Sequence, residues 1–85
     1  EETTGQLLCD TSMTGVIIDR FGAGVAMRPY DDTHILARAQ VAVSPQFFGW
    51  LAGLSTHIRV ISPDSVVNEY QIFLQEILRS YTDMQ

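Results

Sequence analysis

The sequence predicts an α+β domain in which an antiparallel sheet is covered on one face by helices. Two observations support this prediction. Segments that alternate apolar and polar residues, as half-buried strands do, are separated by segments of helical periodicity. The pairs Ser44-Pro45 and Ser62-Pro63 each follow an alternating segment, and this pair is typical of a chain that leaves a strand and starts a helix. The 85 residues leave room for one hydrophobic core.

The chain begins with a polar stretch. Residues 1–5 are predicted to be a linker remnant or a frayed end, so that a single domain spans residues 6–85. Segment 6–9 is a weak strand pattern, but it is the only strand candidate before the first helical segment.

The segment from Thr11 to Phe21 carries two conflicting patterns. Its central β-branched run favours a strand, whereas Met13, Ile17 and Phe21 recur at the i, i+4 and i+8 spacing of a helix. Gly22 follows directly, and glycine is the residue that most often ends a helix. We predict a helix here.

Two alternating segments come next and are predicted to form an antiparallel hairpin. They cover residues 25–29 and 34–43, and both alternate apolar with polar side chains. Arg28 points outward from the first segment, and Arg38 and Gln40 point outward from the second. An odd number of connecting residues lets the inward faces of the two strands match.

Ser44-Pro45 opens a helix that carries much of the aromatic surface of the chain. Phe47, Trp50 and Leu51 fall on one stripe of this helix, at i, i+3 and i+4. Because aromatic side chains bury the most apolar area per residue, we expect these three to organise the core. Gly49 lies inside the helix, where glycine is unfavourable, and suggests a close approach by neighbouring backbone.

The last part of the chain predicts a strand and a long helix. Residues 57–61 alternate again, with Ile58 and Val60 inward and Arg59 outward. Ser62-Pro63 then repeats the capping chemistry of the earlier pair, and an apolar stripe follows over about five helical turns. The order is strand, helix, strand, strand, helix, strand and an additional C-terminal helix. This is the ferredoxin-like βαββαβ pattern.

The charge balance excludes some functions. The net charge is −5 and the chain has no lysine, which argues against binding of duplex DNA by this chain alone.

The longest apolar run is far shorter than the roughly 20 residues that cross a membrane. The single Cys9 cannot form an internal disulfide, in agreement with a cytoplasmic location. The chain opens on Glu1-Glu2 without a methionine or a basic leader, so we expect a larger parent chain and no signal peptide.

No constellation of catalytic residues is evident. Cys9 has no cysteine partner and is predicted to be a buried, inert thiol. His34 and His57 fall on outward strand positions, where they are too few for a metal site of three or four ligands. We therefore expect no enzymatic activity, no metal and no cofactor.

The outward sheet face is the strongest candidate site. Arg28, Arg38 and Arg59 come from three predicted strands and share this face with Gln40, whereas all ten carboxylates lie outside the predicted strand cores. Guanidinium groups present a bidentate fork to phosphate or carboxylate, so we predict that this face binds an anionic ligand. The alternative is that the C-terminal helix or another domain covers the face and pairs the arginines with its own carboxylates.

Three blocks of the sequence resemble a known family. They are Ile18-Asp19-Arg20-Phe21-Gly22, Val41-Ala42-Val43-Ser44-Pro45-Gln46-Phe47-Phe48-Gly49-Trp50-Leu51 and Val60-Ile61-Ser62-Pro63. With these blocks in order, the chain resembles the C-terminal extension, of the WCX type, of WYL-domain transcriptional regulators. The resemblance implies a ferredoxin-like domain that takes part in dimerisation and in the response to an effector. It also implies WYL and winged-helix domains in the parent chain, and it brings no catalytic residue.

Two features depart from that family. No Trp-Tyr-Leu run occurs, so neither the sensing domain nor DNA binding is assigned to this piece. Ser55 stands where relatives often have glycine, after the aromatic helix.

We expect a homo-oligomer with an anionic effector or oligonucleotide as ligand and no membrane partner. The alternative function is a free-standing domain of the same fold that binds a small molecule or an anionic ligand.

Overall fold

A computed structural model describes residues 2–83 of the chain. It has four strands and three α-helices, which confirms the α+β class. In chain order the elements are β1 (Glu2–Asp10), α1 (Thr14–Phe21), β2 (Ala26–Pro29), β3 (His34–Ala42), α2 (Pro45–Gly53), β4 (Ile58–Ser62) and α3 (Asp64–Thr82). Short 3-10 turns at Thr11–Met13 and Ser55–His57 precede α1 and β4.

The four strands form one antiparallel sheet in the order β2-β3-β1-β4. The two long strands β1 and β3 lie in the centre, and the short strands β2 and β4 lie at the edges. The helices cover one face, on which the buried side chains of the strands meet those of α1, α2 and the start of α3. Among residues 2–83, none of the helices combines the length and the apolar composition that a membrane span requires.

Strand β1 is nine residues long, which corrects the short strand predicted for residues 6–9. Glu2 pairs with Ala42, so residues 2–5 belong to the sheet and not to a linker. Gly5 explains why the first half of β1 was not predicted: the residue is buried, but a glycine adds no apolar side chain to the sequence pattern. A Cβ atom at Gly5 would lie 3.3 Å from a methyl group of Val41 and 3.4 Å from the Ser62 carbonyl oxygen. Glu1 and residues 84–85 lie outside the described residues.

Helix α1 confirms the choice of helix over strand for the segment that ends at Phe21. A 3-10 turn leads into the α-helix, and Gly22 ends the helix with a φ of 95°, a backbone conformation that favours glycine. The Gly22 N–H donates to the Ile18 carbonyl oxygen at 2.8 Å. Arg20 in the last turn places its guanidinium 4.9 Å from the centre of the Trp50 ring, a cation–π contact that links α1 to α2.

Helix α2 begins as its sequence predicts. The Ser44 hydroxyl oxygen accepts a hydrogen bond from the Phe47 N–H at 3.2 Å, and Pro45 occupies the first turn. Phe47 and Leu51 are fully buried, whereas Trp50 is half-buried and stacks on Phe47 with the ring centres 6.0 Å apart.

The close backbone approach that Gly49 suggested is wrong. A Cβ atom at Gly49 would meet no atom within 4 Å. The residue is exposed, on the side of α2 that faces away from the core.

Helix α3 begins differently from the prediction. Pro63 is its N-cap residue and no side chain caps it, because Ser62 is the last residue of β4 and pairs with Gln6 in the sheet. Asp64 lies in the first turn, where its negative carboxylate interacts favourably with the positive end of the helix dipole.

The first half of α3 packs on the helical side of the sheet. Val66 is buried in the core, and the rings of Tyr70 and Phe73 lie 5.3 Å and 5.4 Å from that of Phe48 in α2. The helix therefore leaves the opposite face of the sheet uncovered.

These burial data rank the three predicted core organisers. We expect Phe47→Ala to lower the free energy of unfolding by about 3–5 kcal/mol, because it removes a fully buried aromatic ring. Trp50→Ala should cost less, since part of its ring is exposed. Urea denaturation followed by circular dichroism measures both values, with exposed Gln46→Ala in the same helix as the control. An equal or larger loss for Trp50→Ala would contradict this ranking.

The backbone conformation of Ser55 leads to a second prediction about stability. Its φ of 57° lies in the left-handed region, which costs a non-glycine residue about 1 kcal/mol or more. We expect Ser55→Gly to be neutral or stabilising by up to about 1 kcal/mol, as glycine loses more entropy on folding but is free of this strain. Ser55→Val should be destabilising, because a β-branched residue is least tolerant of positive φ. Denaturation midpoints in the order Val above Ser above Gly would disprove the strain.

Candidate functional site

The outward face of the sheet carries the three predicted arginines, two of which lie in the same row across the strands. Arg28 in β2 lies opposite Leu36 in β3, Leu36 opposite Leu8 in β1, and Leu8 opposite Arg59 in β4. Neighbouring strands are about 4.8 Å apart, so the backbones of Arg28 and Arg59 are separated by roughly 14 Å. The two arginines therefore stand at opposite edges of the sheet, with two leucines between them.

Arg38 occupies the next row and joins Arg28. It lies opposite Ala26 in β2, which makes it the diagonal neighbour of Arg28, within reach for long side chains. The two arginines flank a depression of about 230 Å³ whose base includes Leu36, which is buried although it lies on the outward face. The structure thus brings Arg28 and Arg38 together and sets Arg59 apart.

Gln40 is less available than its position in the sequence suggested. Its side-chain N–H donates to the Thr4 hydroxyl oxygen at 2.7 Å, across β3 and β1. Thr4 was assigned to the linker, so this partner could not be foreseen. The amide stiffens the sheet surface beside Arg38, and part of its donor capacity is already used.

The arginine face is open. Arg28, Arg38 and Arg59 are exposed, and among residues 2–83 no carboxylate lies within ion-pair distance of their guanidinium groups. This differs from the alternative in which α3 covers the face, since α3 packs on the other side. The donors of the three guanidinium groups point into solvent with no anionic partner from this part of the chain.

A cluster of histidines and aspartates lies at one end of the same face. Asp10 is the centre of this cluster: its carboxylate lies 2.7 Å from Nδ1 of His57 and 3.5 Å from Nε2 of His34. The Nδ1 atom of His34 also lies 2.8 Å from the Asp31 carboxylate. The outward histidines thus meet through Asp10. Asp10 was missed because the strand was predicted to end at Cys9, and it brings a carboxylate onto a face predicted to have none.

The turn between β2 and β3 orders the cluster. The Asp31 carboxylate accepts hydrogen bonds from the Thr33 N–H at 2.9 Å and from its hydroxyl at 3.3 Å. The Thr33 N–H, followed by His34, lowers the pKa of Asp31 below its ordinary value. In the part of the chain that the structure describes, no group of three or more potential ligands is arranged to hold a metal ion.

Cys9 lies on the opposite, buried face of β1. Burial, with the negative charge of Asp10 as a smaller cause, raises the pKa of the Cys9 thiol to about 11. The Sγ atom donates a weak hydrogen bond to the Leu7 carbonyl oxygen at 3.5 Å. A thiol in this environment is protonated at neutral pH and is a poor nucleophile.

The comparison with known families agrees with the three sequence blocks. The family model of the WCX domain matches residues 6–78, which is most of the chain. No curated protein and no solved structure matches the chain. The matched segment runs from the middle of β1 into the exposed half of α3, so it includes the whole sheet core and α2. The chain therefore belongs to the WCX domain family.

Proposed function

We propose that this chain is the C-terminal effector-response and dimerisation domain of a WYL-family transcriptional regulator. Membership of the WCX family supports this proposal. The domain is non-catalytic and cytoplasmic, and its partners are the WYL and winged-helix domains of the parent chain. Its fold is of the ferredoxin-like type: the sheet order, read as β4-β1-β3-β2, and the helices after β1 and β3 support this assignment, with α3 as an addition.

The observation that carries the dimerisation role is an apolar stripe on the second half of α3, formed by Leu74, Ile77, Leu78 and Tyr81. These residues recur at i, i+3, i+4 and i+7, so they share one face of the helix. Leu78 and Tyr81 are 65% and 70% exposed. The α3 stripe continues the face that packs against the core at Tyr70. Leu74 borders a cavity that it shares with α2 and β4, and the exposed fraction increases from Leu74 toward Tyr81.

Charge favours a second copy of this chain as the occupant of the α3 stripe. Two copies with a net charge of −5 repel each other, so a contact surface without charged side chains is the one that adds least to this repulsion. The side chains that flank the stripe are uncharged, whereas the charged residues in the second half of α3 lie on the far side of the helix. The flanking residues are Gln71, Gln75, Ser80 and Thr82. Complete burial of an exposed large apolar side chain contributes roughly 1.5–3 kcal/mol. Leu74 and Ile77 are already partly buried and contribute less than Leu78 and Tyr81, and the loss of free motion on association offsets part of the sum.

This role predicts a specific effect on oligomeric state. We expect the 85-residue chain to be a dimer at micromolar concentrations and Leu78→Glu to be a monomer, because the carboxylate would be buried in the helix pair. Ile72→Glu is the matched control, since Ile72 is also exposed but lies on the other side of α3. Sedimentation equilibrium measures the masses, and circular dichroism verifies the helix. A monomeric wild-type chain, or a dimeric Leu78→Glu variant, would rule out the α3 stripe as the interface.

A second candidate function is binding of an anionic effector on the arginine face. The open surface around Arg28 and Arg38 and the absence of carboxylate partners within residues 2–83 support it. A short oligonucleotide or a nucleotide phosphate has the required chemistry. This function also suits a free-standing ligand-binding domain. A parent gene that encodes winged-helix and WYL segments before Glu1 would decide in favour of the regulator.

Arg38 is the probe of the anionic site. We expect Arg38→Glu to weaken binding of short single-stranded oligonucleotides and of nucleotide phosphates, with stability within about 0.5 kcal/mol of wild type because the side chain is exposed. Arg79→Glu makes the same charge change on α3 and serves as the control. Fluorescence titration at two salt concentrations gives the affinities. Equal weakening by the two variants would show that only net charge matters and that the arginine face is no site.

A further inference from the structure

The two strands of the β2–β3 hairpin differ in length. Strand β2 has four residues and β3 has nine. The pairing between them ends at Ala26 opposite Arg38, so the second half of β3 has no neighbouring strand on that side. On its other side, the same half pairs with β1 as far as Ala42. Residues 39–42 therefore form a local sheet edge next to the middle of the domain.

The direction of the unpaired backbone groups follows from the hydrogen bonds at the turn. The Tyr30 N–H donates to the His34 carbonyl oxygen, on the β2 side, and the Thr11 N–H donates to the Thr33 carbonyl oxygen, on the β1 side. The backbone N–H and C=O groups of successive strand residues point to opposite sides. Those of Gln40 and Ala42, which are six and eight residues after His34, therefore point to the same side as those of His34, where no strand follows β2. Within residues 2–83, neither has a backbone hydrogen-bond partner there.

A groove of about 500 Å³ lies along the part of this edge that Ala39 and Gln40 form. On the helical side its walls are apolar, with Phe21 from the end of α1, Val25 from the connection to β2 and Ala39 from β3. On the outward side Arg38 lines the same groove. The space beside the backbone groups thus has an apolar wall and a cationic wall.

The register of the sheet specifies the side chains of a strand that would fill this space. A residue opposite Gln40 directs its side chain outward, where Arg38 is its diagonal neighbour. The residues before and after it direct their side chains inward, toward Phe21 and Val25. A residue opposite Ala42 would share a row with Glu2, which disfavours an acidic side chain at that position. The complementary segment has one central carboxylate between two apolar residues.

We propose that the β3 edge at Gln40–Ala42 binds an extended acidic peptide segment, which adds to the sheet as a strand in line with β2. Backbone hydrogen bonds to Gln40 and Ala42 hold the segment, and Arg38 selects a carboxylate opposite Gln40. This interaction goes beyond the proposed function, because it involves neither the α3 stripe nor a phosphate ligand. A second copy is a poorer occupant. If its β3 edge paired with this edge, that strand would continue into α2 at one end and would meet β2 at the other.

The test uses a defined peptide. The ¹⁵N-labelled 85-residue chain is titrated with acetyl-Thr-Val-Glu-Val-amide and, separately, with the same peptide carrying Gln in place of Glu. With its Glu opposite Gln40, this peptide stops before the position opposite Arg38, which Ala26 occupies. We expect saturable shifts of the Gln40 and Ala42 amide signals and slower hydrogen exchange at both. The Glu peptide should bind about two- to fivefold more tightly than the Gln peptide, as is typical of one exposed ion pair.

Four variants separate the edge from the charge. Gln40→Pro removes the N–H that faces the groove and leaves the β1 pairing intact, so we expect no binding, whereas Gln40→Ala keeps the N–H and should bind. Arg38→Gln should bind both peptides equally. Arg59→Gln, at the far edge of the sheet, should still prefer the Glu peptide.

Several results would overturn the proposal. They are the absence of shifts at millimolar peptide, shifts confined to α3, binding by a folded Gln40→Pro variant, and concentration-dependent protection of Gln40 without peptide, which would assign the edge to a second copy. If Gln40→Pro fails to fold, an Arg38→Gln variant that still prefers the Glu peptide decides against the acidic segment.

Discussion

The structure depends on the pairing of β1 with β3 along nearly their whole length. The register from Glu2–Ala42 to Asp10–His34 decides which residues are buried, because a shift by one residue would turn every side chain of one strand to the other face. It places Leu7 opposite Ala37 in the core. The other strands attach to this pair: β2, joined to β3 by a short turn, pairs with the free side of β3, and β4 pairs with the free side of β1.

The same register constructs the outward surface. It brings Thr4 to Gln40 and places Leu8 beside Leu36, so that the two leucines separate the arginines of the edge strands. It also carries Asp10 to His34. Each of these contacts joins residues that are distant along the chain. The polar surface is therefore as much a product of the β1–β3 pairing as the core is.

Much of the fold was predictable from local patterns, and the failures share a cause. The alternation in β3, the Ser44 cap and Gly22 after α1 are strong local signals, and the structure confirms each of them. The first half of β1 was missed because a buried glycine and threonines carry no apolar signal, and the role of Asp10 was missed because the strand was predicted to end at Cys9. Ser62 failed as a cap since its place in the sheet outweighs its local propensity. Strand membership here is decided by a partner more than 20 residues away, which a local pattern does not contain.

The candidate site was half predictable for the same reason. Strand alternation was sufficient to place Arg28, Arg38 and Arg59 on one face, but only the register shows that Arg28 and Arg38 are neighbours and that Arg59 is remote. The identity of the residues between them, and the hydrogen bond that engages Gln40, also follow from pairing. No periodicity in a single segment measures a distance across a sheet.

The position of Arg38 couples two of the three surfaces and leaves the third independent. Arg38 lines both the depression beside Arg28 and the groove along the β3 edge, so the two proposed ligands, an anion on the face and a carboxylate on an added strand, would share one guanidinium. Two ligands that require the same cation compete, and each lowers the affinity for the other by the same factor. The α3 stripe shares no residue with either place and lies on the helical side of the sheet. Under the proposed function, association through α3 would therefore persist while ligands on the arginine face exchange.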